Sequence, residues 1–220
     1  MRRTPALVAT LALVLGSTAT AATWPKLERN AADQALAKQS ILHIGDFGTG
    51  AGWTSAATGG GGGNLDDPSC HGSAFSDVGR VLTGSAESSF KTTGLQVWSS
   101  AEVMKTLAMA QRDVQRTSSS VVVPCLTAIL RKSLPPTGAK LVSMKELPFP
   151  RIGDWSDAYR ALVDVSANGV SVRVQFDIVL VQSGRVEITL MQVAPFAVSS
   201  LAKTGEERLV QRLAGTALAA

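Results

Sequence analysis

Between Asn168-Gly169 and Ser183-Gly184 the sequence alternates with period two. Val170, Val172, Val174, Phe176, Ile178 and Leu180 are apolar, and Ser171, Arg173, Gln175 and Asp177 between them are polar. Successive side chains of a strand point to opposite faces, so this pattern predicts a strand with one buried face. Asn-Gly is a strong two-residue hairpin signal, and Ser183-Gly184 supplies a second tight turn. Before the first turn, Asp157 to Ser166 places Tyr159, Ala161, Val163 and Val165 on one side. After the second, Val186, Ile188 and Leu190 alternate with Glu187 and Thr189. A three-strand antiparallel meander over 157–193 follows. The other elements must then cover a sheet.

Those elements read as follows. Leu27 to Leu42 is rich in Ala and Leu and predicts a helix ending at Gly45. Arg80 to Phe90 and Gly94 to Ser99 read as strands joined by Lys91-Thr92-Thr93. Ser99 with Glu102 has the spacing of a capping box. Val103, Leu107, Ala110 and Val114 then share one helical face. A second helix starts at Pro124, carries Leu126, Ile129 and Leu130, and stops before Pro135-Pro136. Ala139 to Leu147 is a strand, and Glu206 to Leu218 a last helix with Leu209, Val210 and Leu213 inward. Strands grouped in hairpins, not alternating with helices, predict an α+β fold. The expectation is an antiparallel β-sheet of about five to six strands with helices packed on it, α/β/α sandwich-like.

The N-terminus addresses the compartment. Met1-Arg2-Arg3 is a positive n-region, Ala6 to Gly16 an apolar run of 11 residues, and Ala19-Thr20-Ala21 a small-residue cleavage site. This is the pattern of a secretory signal peptide over 1–21; a membrane anchor, the alternative, needs about 20 apolar residues. No Cys follows the run, which argues against a lipid anchor. The expected product is a secreted chain without an integral membrane span. It forms a single domain over 22–220 with a flexible Gly-rich loop at 54–69, where Gly59 to Gly63 are consecutive. Removing Arg2 and Arg3 lowers the net charge from +4 to +2. With 45% hydrophobic and 17% charged residues the chain is not of the disordered class, and it has no dense basic patch for nucleic acid. Cys70 and Cys125 are an even pair in an exported chain and read as a disulfide, with a metal or catalytic thiol as the alternative.

The order of landmarks resembles the secreted actinobacterial proteins with a PknH-like extracellular sensor domain, from about Ala32 to the C-terminus. The resemblance rests on Leu42-His43-Ile44-Gly45-Asp46-Phe47-Gly48 and Gly52-Trp53, on Cys70, and on Trp98-Ser99-Ser100-Ala101-Glu102. Pro124-Cys125-Leu126, Gly153-Asp154-Trp155-Ser156-Asp157-Ala158-Tyr159-Arg160 and the Asp177-to-Arg185 strand complete it. It implies an antiparallel sheet flanked by helices, with a groove for an extracellular ligand. PsbP-like and Mog1-like domains are similar more distantly and imply the same fold. The chain departs from the kinase sensors in having two Cys where they carry two disulfides, and in lacking a kinase domain and a transmembrane helix.

Catalytic sets are incomplete. Asp46-Phe47-Gly48 stands without the rest of a kinase set. Gly48 to Gly52 lacks the Gly-Lys-Ser/Thr ending of a phosphate loop. There is no G-x-S-x-G, and the only imidazoles are His43 and His71. Asp66-Asp67, Asp154/Asp157 and Glu206-Glu207 have structural explanations as loop, strand-start and helix-start residues. No ligand spacing suggests a metal, and no motif implies a cofactor. The expectation is a non-catalytic module binding an extracellular small molecule or cell-envelope component. A hydrolase with an unrecognised site and a protein-interaction module are the alternatives. Trp beside carboxylate can line a ligand groove, which marks Asp46, Trp53, Asp154, Trp155 and Tyr159 as candidate binding residues.

Overall fold

The computed structural model describes residues 25–47, 52–57, 79–117, 120, 122–135, 137–167, 169–195 and 210–215. The expected signal peptide (1–21), Cys70, His71 and residues 58–69 of the expected glycine-rich loop lie outside these described residues.

The strands and turns of the meander form as read, but the expected buried face of the middle strand does not: Val170 and Val172 are 63% and 47% exposed, and the face of Gln175, Asp177, Val179 and Val181 is the buried one. β6 (Trp155–Ala167), β7 (Val170–Ser183) and β8 (Val186–Pro195) pair antiparallel in unbroken register, Tyr159 opposite Ile178 and Ile178 opposite Met191. Gly169 and Gly184 have φ of 78° and 57°, the left-handed conformation these turns require. β5 (Ala139–Leu147) adds to β6, and β3 (Val81–Thr92) with β4 (Leu95–Met104) joins the other side through β8.

The expected antiparallel sheet of five to six strands in an α/β/α sandwich is corrected here. Among the described residues the sheet has eight strands in the order β1-β3-β4-β8-β7-β6-β5, with β2 also on β3. It is mixed: β1 (Lys26–Leu27) runs parallel to β3 and β2 (Thr54–Ser55) antiparallel to it. Strands predominate among the described residues. Two of the strands are two-residue pieces, too short to leave a periodic signal. Both sit on the outer edge of β3 and help to blunt it. Between them Asn30 N–H donates to the Thr83 carbonyl at 3.0 Å, and the Gln34 amide donates to the Ser85 carbonyl at 2.6 Å. An open edge would otherwise be a template for pairing with another chain.

Two helices are also corrected. The helix expected over 27–42 is α1 (Ala31–Gln39), capped by Asn30, whose Oδ1 accepts from Asp33 N–H at 2.8 Å. Leu27, the first residue of the expected helix, belongs to β1. The helix expected from Ser99 starts later: 95–104 is β4, and α2 spans Leu107–Thr117. Val97, Ser99, Ala101 and Val103 are all buried and alternate along β4. Ser99 accepts from Leu42 N–H at 2.9 Å and bonds Ser88 Oγ at 2.9 Å. The local capping signal loses to this period-two burial. α3 (Val122–Ser133) begins two residues before Pro124, which sits in its first turn; 210–215 is helical with Val210 and Leu213 buried, and the rest of the helix expected over Glu206 to Leu218, Leu209 included, lies outside the described residues.

One sheet face, here the front, carries the main core. Val97, Ala101 and Val103 of β4, Val179 and Val181 of β7, and Ile188 and Leu190 of β8 pack with Ala37, Leu42, Val210 and Leu213. α1 crosses β3 so closely that a Cβ on Gly84 would stand 2.2 Å from the Asp33 carbonyl oxygen. On the back face α3 places Val122 and Leu126 against Tyr159 and Ile178, and Ala110 of α2 meets Leu82 and Met104.

Candidate functional site

The five sequence-selected residues do not converge. Asp46 lies in a single 3-10 turn (Ile44–Phe47), accepts from His43 N–H at 2.7 Å and pairs with Arg212. Trp53 stacks on Phe47 with ring centroids 4.1 Å apart, and both rest against the front-face core. Asp154 is exposed and accepts from Gly184 N–H at 2.8 Å, closing the β7–β8 turn. Trp155 begins β6 opposite Gln182. Tyr159 is buried under α3 on the back face, its hydroxyl donating to Asp157 Oδ2 at 3.1 Å. Burial, then the charge of Asp157, pushes the Tyr159 hydroxyl well above its ordinary range. Burial likewise raises the Asp157 carboxyl. Asp46 and Trp53 thus flank one core cluster while Tyr159 belongs to another. Their observed bonds close turns and anchor packing.

The polar group that the structure does assemble was hidden in the strand alternation. Asp177 shares the front face with Val179 and Val181, and its β8 register partner is Gln192. Gln175, two residues earlier, lies on the same face, and Arg160 is the β6 partner of Asp177. Arg160 donates to Asp177 in bidentate fashion, Nε to Oδ1 and Nη2 to Oδ2, both at 2.7 Å, and the Gln175 amide donates to Asp177 Oδ2 at 2.6 Å. Asp177 and Gln175 are 2% and 1% exposed and Gln192 is 5% exposed. The Arg160 side chain keeps 18% of its surface.

Two atoms of this group stand out. Gln175 Oε1 and Gln192 Nε2 are buried and find no hydrogen-bond partner among the described residues. A buried amide atom without a partner costs about 1–3 kcal/mol. One orphan is an acceptor, the other a donor. They sit diagonally across β7 and β8 beside the Arg160–Asp177 pair. Toward the hairpin end of the same face, Arg173 and Asp164 form an exposed bidentate pair at 2.7 and 2.9 Å. The period-two pattern places Gln175 and Asp177 opposite the face of Phe176 and Ile178, which would make them solvent-facing. The only sequence hint of burial was the run Val179, Val181 continuing that face.

A second polar cluster lies on the back face, where Arg80 meets Glu102, Asp113 and Glu187. Among the described residues no group of three or more His, Cys, Asp or Glu is arranged to hold a metal ion. Cys125 is buried in the first turn of α3 and is not a free cysteine; its expected partner lies outside the described residues. No described helix is long and apolar enough to cross a membrane.

No protein-family model matches the chain, and no curated protein matches its sequence. Solved structures with partial likeness include a Pseudomonas aeruginosa protein of unknown function described as a putative regulator. It is 10% identical with a TM-score of 0.31, over 59% of this chain and 82% of that one. LpqN of Mycobacterium tuberculosis, described as involved in cell envelope biogenesis, is 12% identical with a TM-score of 0.28, over 57% and 61%. The Ran-binding protein Mog1p of Saccharomyces cerevisiae is 11% identical with a TM-score of 0.26, over 60% and 76%. At these scores the likeness is a partial sharing of layout and carries no argument about activity or partner.

Proposed function

We propose that the chain is a secreted, non-catalytic module that binds a small hydroxyl-rich molecule, free or as part of the cell envelope, on the front face of its sheet. The observation that carries this reading is the pair of orphaned amide atoms, Gln175 Oε1 and Gln192 Nε2, beside Arg160–Asp177. A sugar or polyol hydroxyl both donates and accepts, so one or two such groups satisfy an orphan acceptor and an orphan donor together. The planar amide, carboxylate and guanidinium groups fix orientation, as polar groups of a ligand site do. The sequence carries no G-x-S-x-G motif, which favours binding over hydrolysis. The PknH-like kinship and a Cys70–Cys125 bridge belong to the same proposal.

The test is a thermal-shift screen of the mature, oxidised protein against sugars, cell-wall fragments, polyamines and lipids. A ligand that binds only the folded state raises Tm by mass action. The expected result is a saturable rise with a hydroxyl-rich compound that Gln192→Met abolishes. Because Gln192→Met removes a buried unpaired donor, the variant itself should melt higher than the parent, by about 1 kcal/mol or more. Stabilisation with loss of binding marks a polar group kept for a ligand. No shift across the panel, or a shift that survives Gln192→Met and Gln175→Met, overturns the reading.

A further inference from the structure

The back-face cluster supports a separate inference, independent of the ligand site. α2 is held on the sheet by little apolar surface. Ala110 is its one buried apolar residue among those described, and only Met109 joins it against Leu82 and Met104. Leu107 is 45% exposed. One turn beyond Ala110, on the same helix face, Asp113 is buried. The position of α2 therefore depends heavily on what Asp113 meets.

It meets a crowded set of charges. Arg80 Nη2 lies 2.7 Å from Glu102 Oε2, 3.3 Å from Asp113 Oδ2 and 3.4 Å from Glu187 Oε2. Arg116 of α2 pairs with Asp113 Oδ1. Glu102 and Glu187 are direct register partners on β4 and β8, and like charges directly opposite repel. On the β7 side the partner of Glu187 is Gln182, whose amide is turned to the Gly184 carbonyl and brings no charge. Glu87 of β3 acts on Glu102 from the exposed rim. Around Glu187, then, two guanidiniums face three carboxylates. Glu187 Oε1 is buried with no donor, while Asp113 is within hydrogen-bond reach of Glu187. Two carboxyl groups make a hydrogen bond only when one of them carries a proton.

We propose that Arg80, Glu102, Asp113 and Glu187 form a proton-operated latch: one proton shared by Glu187 and Asp113 holds α2 on the sheet, and its release to solvent frees the helix. Burial, then the Asp113 charge, holds the Glu187 carboxyl well above the usual carboxylate range, with Arg80 opposing. When that proton leaves, a buried carboxylate stands against Asp113 and Glu102 with Arg80 already shared. The apolar contacts of Ala110 and Met109 then hold α2 against that repulsion. Its departure uncovers Leu82 and Met104, which are otherwise buried.

The test uses the full oxidised chain. Amide hydrogen exchange along 107–117, corrected for intrinsic rate, is followed from about pH 4 to about pH 9, together with the carbon-13 shift of the Glu187 carboxyl. The latch requires α2 protection to fall by about tenfold or more across the same pH range in which Glu187 ionises, with β7 and β8 unchanged. Glu187→Gln, neutral at every pH, should keep α2 protected throughout; Asp113→Asn should make α2 protection independent of pH. Constant α2 protection in the parent overturns the proposal, as does a Glu187 midpoint near the ordinary value. So does a decline that persists in Glu187→Gln. If neither variant folds, the coincidence of the two titrations in the parent decides alone.

Discussion

At the scale of single residues, the serines of the front face show how little polar surface the core tolerates unpaired. Ser99 is fully buried, yet its hydroxyl accepts from Leu42 N–H at 2.9 Å and bonds Ser88 Oγ, which in turn donates to the Leu42 carbonyl at 2.8 Å. This small ring fastens the chain leaving α1 to β3 and β4. Ser99→Ala removes the acceptor and leaves the Leu42 N–H buried without it. The expected loss is about 1–3 kcal/mol, read as a lower urea midpoint with unchanged slope. A Ser99→Ala protein as stable as the parent would show that water replaces the hydroxyl. The contrast with Gln192 is instructive. Both are buried polar residues, but only Ser99 is satisfied by the fold, so its removal should destabilise while that of Gln192 should stabilise.

At the scale of elements, α1 acts as a clamp on the sheet. Asn30 caps it, Asp33 in its first turn takes Arg185 of the β7–β8 turn at 2.7 and 3.0 Å, and Thr83 donates to the same carboxylate. Arg185 also donates to the Met104 carbonyl at 2.8 Å. One carboxylate thus ties α1, β3 and the end of β8 together. Asn30→Ala removes both the cap and the Asn30 bond to Asp33 Oδ2 at 2.9 Å. The expected cost is about 1 kcal/mol, seen as a fall in Tm, and Asn30→Ser should recover most of it. The same elements show what could be read beforehand. The long alternating strands β5 to β8 were legible because a half-buried strand imposes period two over many residues. β1 and β2 were not, because two residues carry no period. The Ser99–Glu102 box misled because it is a local signal, and burial of β4 between β3 and β8 overrides local preference. The binding residues chosen from sequence were loop aromatics and acids. Their pairings are turn closures and stacking. Gln175 and Gln192 carry no motif, since a strand shows only that they alternate with apolar neighbours, not that their own face is covered.

At the scale of the whole molecule, two buried carboxyl groups pull stability in opposite directions with pH. Asp33 is held well below its ordinary value of 3.8, first by the bond from Arg185, against burial. Its stabilisation is present above pH 3.8 and is lost as pH falls through the depressed folded value, because the unfolded chain then binds the proton first. Glu187 is held well above its ordinary value of 4.5. The folded protein keeps that proton after the unfolded chain has lost it, so its contribution is complete below pH 4.5 and declines as pH rises toward the folded value. Asp157, raised mainly by burial, adds to the same alkaline decline. The two limbs place the stability maximum on the acid side, near pH 4 to 5, where many proteins are already losing stability. Each fully titrating group gives a slope of at most about 1.4 kcal/mol per pH unit. The check is a series of urea melts of the oxidised protein from about pH 3 to about pH 9. Glu187→Gln should flatten the alkaline limb and leave the acid limb intact. Asp33→Asn should lower stability at neutral pH and flatten the acid limb. A maximum at neutral pH, or an alkaline limb unchanged by Glu187→Gln, would mean that Glu187 is ionised in the folded protein and that Arg80 and Arg116 suffice to hold all three carboxylates.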